Sequence, residues 1–303
     1  MKLAPIVVFA YNRPDLLERT LKALSKNDLA VQSDLYVYCD GPKTNASVEQ
    51  IERIVECRKI AHAISGFKSH VVIERSTNIG LKANIVSAVT EIVNEYGRII
   101  VIEDDIVTSP GFLRYMNDAL EMYKDDERVM HISGYMWPHR WPLPETFFYQ
   151  APCPWGWATW SRAWKYYNDN TAEIYDYWKT RWNEFNSFGG NYLQKQLEEN
   201  YNSTLNTWYV KWHAAMRQRD ALALYPGNSL VDNRGFGGDA TNCYATDKFD
   251  VKLGKKIVVE RRPIRENKLG AHEIYAFYQG RWYNKRRRNS MLSKIKNIFC
   301  FWK

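Results

Sequence analysis

A short apolar run that ends in three carboxylates constrains this chain more than any other feature. Gly97 ends a helical pattern, and residues 99–102 then form a continuous apolar run in which every residue is β-branched. A run this short, bounded by turns, predicts a strand buried on both faces of a parallel sheet. Glu103, Asp104 and Asp105 follow directly, and adjacent carboxylates repel one another unless cations, hydrogen-bond donors or water compensate them. Because open α/β sheets bind ligands at the carboxyl ends of their strands, the stretch predicts a divalent-metal and nucleotide site.

The chain around the acidic stretch alternates between strand and helix patterns. Strands are predicted at residues 5–11, 35–39, 70–74, 99–102, 129–133 and 222–226, with a further short one at 257–259. Right-handed crossovers then give a parallel, three-layer α/β sheet with the acids at its ligand-binding rim. The alternative to a metal and nucleotide site is that the three acids only form a solvated corner between the strand and the next loop. The sequence lacks G-x-G-x-x-G and G-x-x-x-x-G-K-[ST], which disfavours dinucleotide oxidoreductases and P-loop enzymes.

The formal charge of +8 comes largely from the last part of the chain, including Arg286, Arg287 and Arg288. Its location predicts a local basic tail and not a nucleic-acid groove, so no nucleic-acid partner is expected. Residues 290–302 place apolar side chains on one side of a helical pattern and lysines on the other. Such a segment suits the surface of an anionic membrane; a tail packed on its own core, or partly disordered, is an equal alternative.

The cysteines indicate the compartment. They are five in number and scattered, with no C-x-x-C pair, which fits a reducing, cytoplasmic setting and disfavours a zinc site. No segment approaches the roughly 20 apolar residues that span a bilayer, and the run at 6–11 is too short for a signal peptide. We therefore expect a cytoplasmic protein, with the tail as a candidate for peripheral attachment to the inner face of the cell membrane.

Four segments carry a further signal through their order and spacing. They are Val7 to Pro14, Cys39 to Gly41, Asn78 to Gly80 and Glu103 to Asp105. Together they resemble a GT-A fold glycosyltransferase, in particular family 2 and the N-acetylglucosaminyltransferase I type. The resemblance implies a Rossmann-like nucleotide-binding half (1–135) and an aromatic-rich acceptor half (136–254), which form one domain, followed by a basic extension (255–303).

The resemblance also implies a nucleotide-sugar donor, most simply a UDP-sugar, lying across the strand ends. The expected binding residues are Ala10, Tyr11, Asn12, Arg13, Asp40, Asn78, Gly80, Lys82, Glu103 and Asp104. Asp40 would face the base or ribose and Asp104 the ribose, while Asp105 would bind Mn²⁺ or Mg²⁺. These hard cations prefer carboxylate, water and phosphate oxygens. Glu103 would reach a hydroxyl of the donor sugar or, alternatively, hydrogen-bond nearby backbone.

A tryptophan-rich segment, Cys153 to Trp164, follows the nucleotide-binding half. By the same resemblance Trp155, Trp157 and Trp160 are candidates for the wall that holds the transferred sugar and the acceptor. Gly156 would permit close approach of the ligand. The alternative is that these rings close the open edge of the sheet.

The general base is not assigned by the sequence. N-acetylglucosaminyltransferase I-like enzymes carry an acid just after the tryptophan of a comparable helix, but Tyr209 stands there in this chain. Asp239 is the first candidate, because the glycine-rich stretch around it predicts a loop that closes over substrate. Asp232 is the second candidate and Glu184 the third.

These features predict a metal-dependent inverting glycosyltransferase, transferring a hexosyl or N-acetylhexosaminyl group to a glycan or lipid-linked saccharide. Inversion rests on the resemblance alone. A nucleotidyltransferase acting on sugar phosphates is one alternative, although the turn after the first strand lacks its glycine-rich phosphate loop. A non-catalytic glycan-binding module is another, and it would not need the acids on the nucleotide side.

Overall fold

A mixed sheet of eight strands forms the centre of the molecule. The computed structural model describes residues 2–236 and 246–280. The strands are β1 (Ile6–Ala10), β2 (Asp34–Cys39), β3 (Ser69–Glu74), β4 (Arg98–Glu103), β5 (Ile106–Thr108), β6 (Val129–Ser133), β7 (Thr146–Tyr149), β8 (Trp157–Trp160), β9 (Leu222–Pro226) and β10 (Val231–Asn233). The helices are α1 (Pro14–Leu24), α2 (Val48–Ala63), α3 (Leu81–Tyr96), α4 (Phe112–Met122), α5 (Ser161–Trp164), α6 (Thr171–Trp178), α7 (Trp182–Phe185), α8 (Tyr192–Tyr201), α9 (Tyr209–Arg217) and α10 (Lys268–Tyr278).

The strand order confirms the predicted three-layer α/β architecture of GT-A type. The sheet runs β3-β2-β1-β4-β8-β6-β9-β7. Strands β1 to β4 are mutually parallel, β8 is antiparallel to both β4 and β6, and β9 is parallel to β6. Only β8 and the edge strand β7 oppose the common direction. A separate antiparallel ribbon, β5 with β10, lies beyond the end of β4.

Strands β1 and β4 are neighbours inside the sheet, and their apolar residues are buried, whereas β3 forms an exposed edge. Every residue of β1 is buried, as is the apolar run of β4. Gly97 caps α3 in the left-handed conformation (φ 78°), where a side chain would be strained, and it turns the chain directly into β4. This geometry delivers Glu103, Asp104 and Asp105 to the carboxyl end of β4, next to the end of β1.

The tryptophan-rich segment contributes a strand to the middle of the sheet. Strand β8 pairs with β4 on one side and β6 on the other. The side chain of Trp157 is fully buried and stacks on His131 and Trp208, with ring centroids 5.2 and 5.1 Å away. Trp160 is also buried, and its Nε1 donates to the Leu120 carbonyl at 3.0 Å. The predicted role as a substrate wall therefore does not hold for Trp157 and Trp160, because both rings belong to the core.

The described part of the predicted C-terminal extension packs on the same body as the rest. Residues 257–259 form no strand, contrary to the sequence prediction; Val258 N instead donates to Glu145 Oε2 at 2.8 Å. Helix α10 buries Ile274 and Phe277, and its Glu273 accepts a hydrogen bond from Arg140 N at 2.6 Å. Up to residue 280 the extension is thus part of the fold. The predicted basic tail beyond it lies outside the described residues.

The cysteines of the described ranges are packed thiols. Cys39, Cys57 and Cys153 are buried and free. Burial raises the pKa of each thiol to about 12, so they remain protonated and unreactive. Among the helices within 2–236 and 246–280, none combines the length and apolarity needed to cross a bilayer.

Candidate active site

A cleft of about 430 Å³ opens at the carboxyl ends of β1, β2 and β4; we call it the donor cleft. The predicted binding residues that line it are Ala10, Tyr11, Asn12, Arg13, Asp40, Asn78, Gly80, Glu103 and Asp104, together with Asp105. Lys82 does not line it. These side chains come from turns up to 95 residues apart in the sequence, and they meet because the parallel strands end at one rim.

The guanidinium of Arg13 lies between the two aspartates of the acidic stretch. Arg13 Nη2 pairs with Asp104 Oδ1, Nε donates to Asp104 Oδ2 at 3.3 Å, and Nη1 pairs with Asp105 Oδ2 at 2.9 Å. Pro14 starts α1 immediately after Arg13, and Thr20 Oγ1 on that helix donates to the Asp104 carbonyl at 2.8 Å. The first turn of the fold therefore carries the counter-charge for the acids 91 residues later.

Negative charge still exceeds positive charge in this cluster. The Glu103 carboxylate makes no hydrogen bond or ion pair with any residue in the part of the chain that the structure describes. Burial, and then the charges of Asp105 and Asp104, raise the pKa of Glu103 to about 8. Burial also raises the pKa of Asp104 to about 6, against the lowering effect of Arg13. Burial lowers the pKa of Arg13, but the charges of Asp104 and Asp105 outweigh that effect. The pKa of Arg13 therefore lies above its ordinary value.

Asp105 is the residue with an oxygen left for a cation. Its Oδ2 pairs with Arg13, and its Oδ1 makes no bond within the described ranges. The chain after β10 lies close by, since a Cβ at Gly235 would collide with the Asp105 carboxylate. No group of three His, Cys, Asp or Glu side chains in residues 2–236 and 246–280 is arranged to hold a metal. Mg²⁺ is commonly held by one or two carboxylates, with phosphate oxygens and water completing its octahedron. The residues therefore fit such an ion as a half-site that a diphosphate would complete.

The Asp40 carboxylate is occupied by the protein itself. Its Oδ1 accepts from Gly41 N at 2.9 Å and Ile79 N at 3.0 Å, and its Oδ2 accepts from Asn78 Nδ2 at 2.9 Å and Gly80 N at 3.0 Å. A carboxylate offers about four lone-pair positions, so all are used. The contact with base or ribose predicted for Asp40 is not supported by these bonds; the carboxylate instead fixes the turn that opens α3.

We expect Asp40→Asn to destabilise the fold and, through it, to weaken nucleotide binding. The amide nitrogen would face two N–H donors, leaving them buried without acceptors at a cost of about 2 kcal/mol or more. Urea unfolding measures the loss, and Asp34→Asn, which perturbs a surface pair with Lys68, is the matched control. Unchanged stability combined with lost nucleotide affinity would favour the direct contact that the sequence predicted.

A second cleft of about 910 Å³ adjoins the donor cleft; we call it the aromatic cleft. Its rings come from the predicted acceptor half and from α10, and they are Trp137, Trp155, Trp208, Tyr192, Tyr209 and Tyr278. Trp155 and Glu103 line both clefts, and Glu103 is the one described carboxylate that does so. Most of these aromatic residues could not be predicted from the sequence, because rings at helical spacing look the same whether they face a core or a cleft.

Trp155 is the one tryptophan of the predicted wall that reaches either cleft. It is half-buried, and its ring meets Tyr135, Phe236 and Phe249 edge-on at centroid distances of 4.6, 5.4 and 5.3 Å. Gly156 follows with φ 61°, and a Cβ there would lie 2.9 Å from Val231 Cγ1. Gly156 thus serves the close packing of the strand entry and does not line either cleft.

Lys82 lies on the aromatic cleft, where it shares a carboxylate with a buried lysine. Lys82 Nζ lies 2.7 Å from Asp169 Oδ2, and Lys211 Nζ lies 2.7 Å from Asp169 Oδ1. Burial lowers the pKa of Lys211, against the opposing effect of Asp169. The donor-binding role predicted for Lys82 is therefore not supported; its ammonium helps to join α3 to α9.

The described base candidates line neither cleft. Asp232 is buried in β10 and pairs with Arg234 at 2.5 Å. Glu184 is exposed on α7, and its carbonyl accepts from Arg217 Nε at 3.0 Å. Asp239, the first candidate, lies outside the described residues. Tyr209, which occupies the position that the resemblance assigns to an acid, lines the aromatic cleft and donates to the Pro152 carbonyl at 3.0 Å.

Comparison with known proteins gives little at the level of sequence. No family model matches the chain, and no curated protein matches it. Among solved structures, the mannosyltransferase PcManGT from Pyrobaculum calidifontis in complex with GDP-Man and Mn²⁺ is similar with a TM-score of 0.33 and 10% identity, over 58% of this chain and 48% of that chain. S. aureus TarS is similar with a TM-score of 0.34 and 16% identity, over 52% of this chain and 28% of that one. The matched region thus covers less than half of PcManGT and less than half of TarS. Similarity at this level does not support a conclusion about activity.

Proposed function

We propose that the protein is a glycosyltransferase that binds a nucleotide sugar in the donor cleft and an acceptor saccharide in the aromatic cleft. One observation carries the proposal: the acidic stretch at the carboxyl end of β4 stands at the rim of the sheet, and its first residue, Glu103, lines both clefts. A group transferred between two substrates has to pass through such a junction. A glycan-binding module would have no use for it.

The donor cleft has the size that a nucleoside diphosphate requires, and it offers positive groups for the diphosphate beside its acids. Its volume of about 430 Å³ lies within the range of small-ligand sites. Tyr11 and Asn12 give it polar walls, and Lys43 and Arg13 give it positive charge. The free N–H groups at the start of α3 add a partial positive charge at the same rim. The sequence resemblance favours uridine as the nucleoside.

Asp105 would hold Mn²⁺ or Mg²⁺ together with the diphosphate of the donor. When bound, such an ion supplies positive charge that stabilises the leaving diphosphate. Arg13 supplies charge of the same sign from the protein, since it is permanently protonated and lies 2.9 Å from Asp105. Asp104, held by Arg13 and by the bond from Thr20, keeps the turn after β4 in place.

The aromatic cleft suits an acceptor sugar. Ring faces such as that of Trp155 cover the apolar faces of sugars, while polar neighbours, among them Gln196 and Asn206, offer hydrogen bonds to hydroxyl groups. In the proposed reaction the acceptor hydroxyl attacks the anomeric carbon, a carboxylate takes its proton, and the nucleotide leaves from the opposite face. Asp239 remains the proposed base, and a glycan or lipid-linked saccharide the proposed acceptor.

A panel of nucleotide sugars tests the proposal directly. We expect the purified protein, in the presence of Mn²⁺, to release nucleotide from at least one of them, and faster when a saccharide acceptor is added. Nucleotide release is measured for each donor, with Glu103→Gln as the variant and Glu121→Gln, a residue that lines neither cleft, as its control. Binding of saccharides without binding of any nucleotide would identify a glycan-binding module instead.

A further inference from the structure

We propose that Arg13 makes metal binding at Asp105 conditional on the diphosphate of the donor. The guanidinium fills the place between Asp104 and Asp105 when no donor is bound, and only the added negative charge of a diphosphate allows a divalent cation to enter beside it. The inference rests on the proposed function, because it presupposes a donor that carries a diphosphate.

The position of the guanidinium is the first observation. All three of its nitrogens are engaged, two with Asp104 and one with Asp105. The side chains are largely removed from water, with exposures of 18% for Arg13, 5% for Asp104 and 11% for Asp105. A planar guanidinium that pairs with carboxylates through several N–H groups is held by directional hydrogen bonds as well as by charge. Arg13 therefore provides the positive charge next to Asp104 and Asp105 when no metal is bound.

The anchoring of this arrangement is the second observation. Arg13 directly precedes α1, where Pro14 fixes the backbone and Leu17 N donates to the Arg13 carbonyl at 3.0 Å. The partner Asp104 is tied to the same helix through Thr20. The backbone of both residues in the ion pair is therefore held against α1. A cation that approaches Asp105 consequently meets a guanidinium that is already paired with both aspartates.

The balance of charge gives the direction of the effect. An isolated divalent ion at Asp105 would find one carboxylate already shared with Arg13, and it would be repelled by the guanidinium at a distance of a few ångströms. A diphosphate changes both conditions, because it supplies further oxygen ligands and pairs with the guanidinium. Since coupling between two ligands is reciprocal, the diphosphate must then raise metal affinity by the same factor as the metal raises diphosphate affinity.

The arrangement also explains what Arg13 does in the empty protein. Adjacent buried carboxylates without a cation are strongly unfavourable. In the absence of metal, another positive charge therefore has to stabilise the acidic stretch. Arg13 supplies that stabilisation and at the same time keeps free divalent ions out.

Titration of Mn²⁺ tests the proposal without measuring catalysis. Free Mn²⁺ is followed by electron paramagnetic resonance, with and without UDP, after correction for the Mn²⁺ that UDP binds in solution. For the wild type we expect weak binding alone and affinity at least about tenfold higher with UDP, which corresponds to an ordinary coupling energy. For Arg13→Met we expect Mn²⁺ to bind the empty protein at least about tenfold more tightly than it binds the wild type, with a smaller gain from UDP.

The matched control is Arg98→Met, because Arg98 has a similar side-chain exposure of 19% and pairs with one carboxylate, Glu121, at the opposite end of β4. It should leave both affinities unchanged. Should Arg13→Met fail to give a cooperative thermal transition, Arg13→Lys takes its place, since it keeps the charge but loses the fork; the same change is expected, to a smaller extent.

Two outcomes separate this inference from the proposed function. Tight Mn²⁺ binding by the empty wild type, unaffected by UDP or by Arg13→Met, would overturn the role of Arg13 while leaving the glycosyltransferase intact. No binding of UDP to the wild type, with or without Mn²⁺, would overturn both.

Discussion

Replacing Asp105 by Asn is expected to lower the rate of sugar transfer about 100- to 1,000-fold, the loss typical when one group that stabilises developing charge is removed. Asparagine has nearly the same shape, so the fold should be kept, but it carries no charge to hold a divalent ion. Its amide would also leave Arg13 with one ionic partner instead of two. The rate is measured with the donor that the nucleotide-sugar panel identifies.

The metal assignment has its own measurement in the same variant. Calorimetry with UDP should show affinity that rises with Mn²⁺ in the wild type and does not rise in Asp105→Asn. Asp126→Asn is the control, because Asp126 is also paired with an arginine, Arg261 at 2.8 Å, but lies outside both clefts. Equal affinities for UDP and Mn²⁺ in the wild type and Asp105→Asn would show that Asp105 does not bind the metal.

The parts of the fold that could be predicted from sequence are those whose signals are local. Strands β1, β2, β3 and β4 are short, apolar and bounded by turns, and the acids that follow β4 are next to it in the chain. The rule that ligands bind at the carboxyl ends of such strands then places the acids without any knowledge of contacts. Arg13, Asp40 and Asp104, which the resemblance implied as binding residues, do line one cleft at these strand ends.

The parts that could not be predicted depend on contacts between distant residues. Strand β8 reads as a run of tryptophans, and only its pairing with β4 and β6 makes it a strand of the core. The role of Asp40 changes because the turn at Asn78, 38 residues away, takes up its carboxylate. Likewise the pairing of Arg13 with Asp104 joins residues 91 positions apart. Residue type suggests that such groups interact, but only the fold decides with which partner.

Truncating Trp157 and Trp155 is expected to separate a core residue from a substrate-binding residue within one short segment. Trp157→Ala should destabilise the protein by about 3–5 kcal/mol, because a fully buried ring is lost from between His131 and Trp208. Trp155→Ala removes a half-buried ring that packs mainly edge-on, so a loss of about 1 kcal/mol is expected. Urea unfolding of both variants measures the difference.

Kinetics should show the opposite order. Trp155→Ala is expected to raise the KM for the saccharide acceptor, since Trp155 lines both clefts, while the fraction of Trp157→Ala that remains folded should keep the KM of the wild type. Trp155→Phe is the conservative variant and should restore much of the acceptor affinity by keeping an aromatic face. If Trp157→Ala instead left stability unchanged and weakened only acceptor binding, the ring would have to face substrate, and the burial of β8 between β4 and β6 would be wrong.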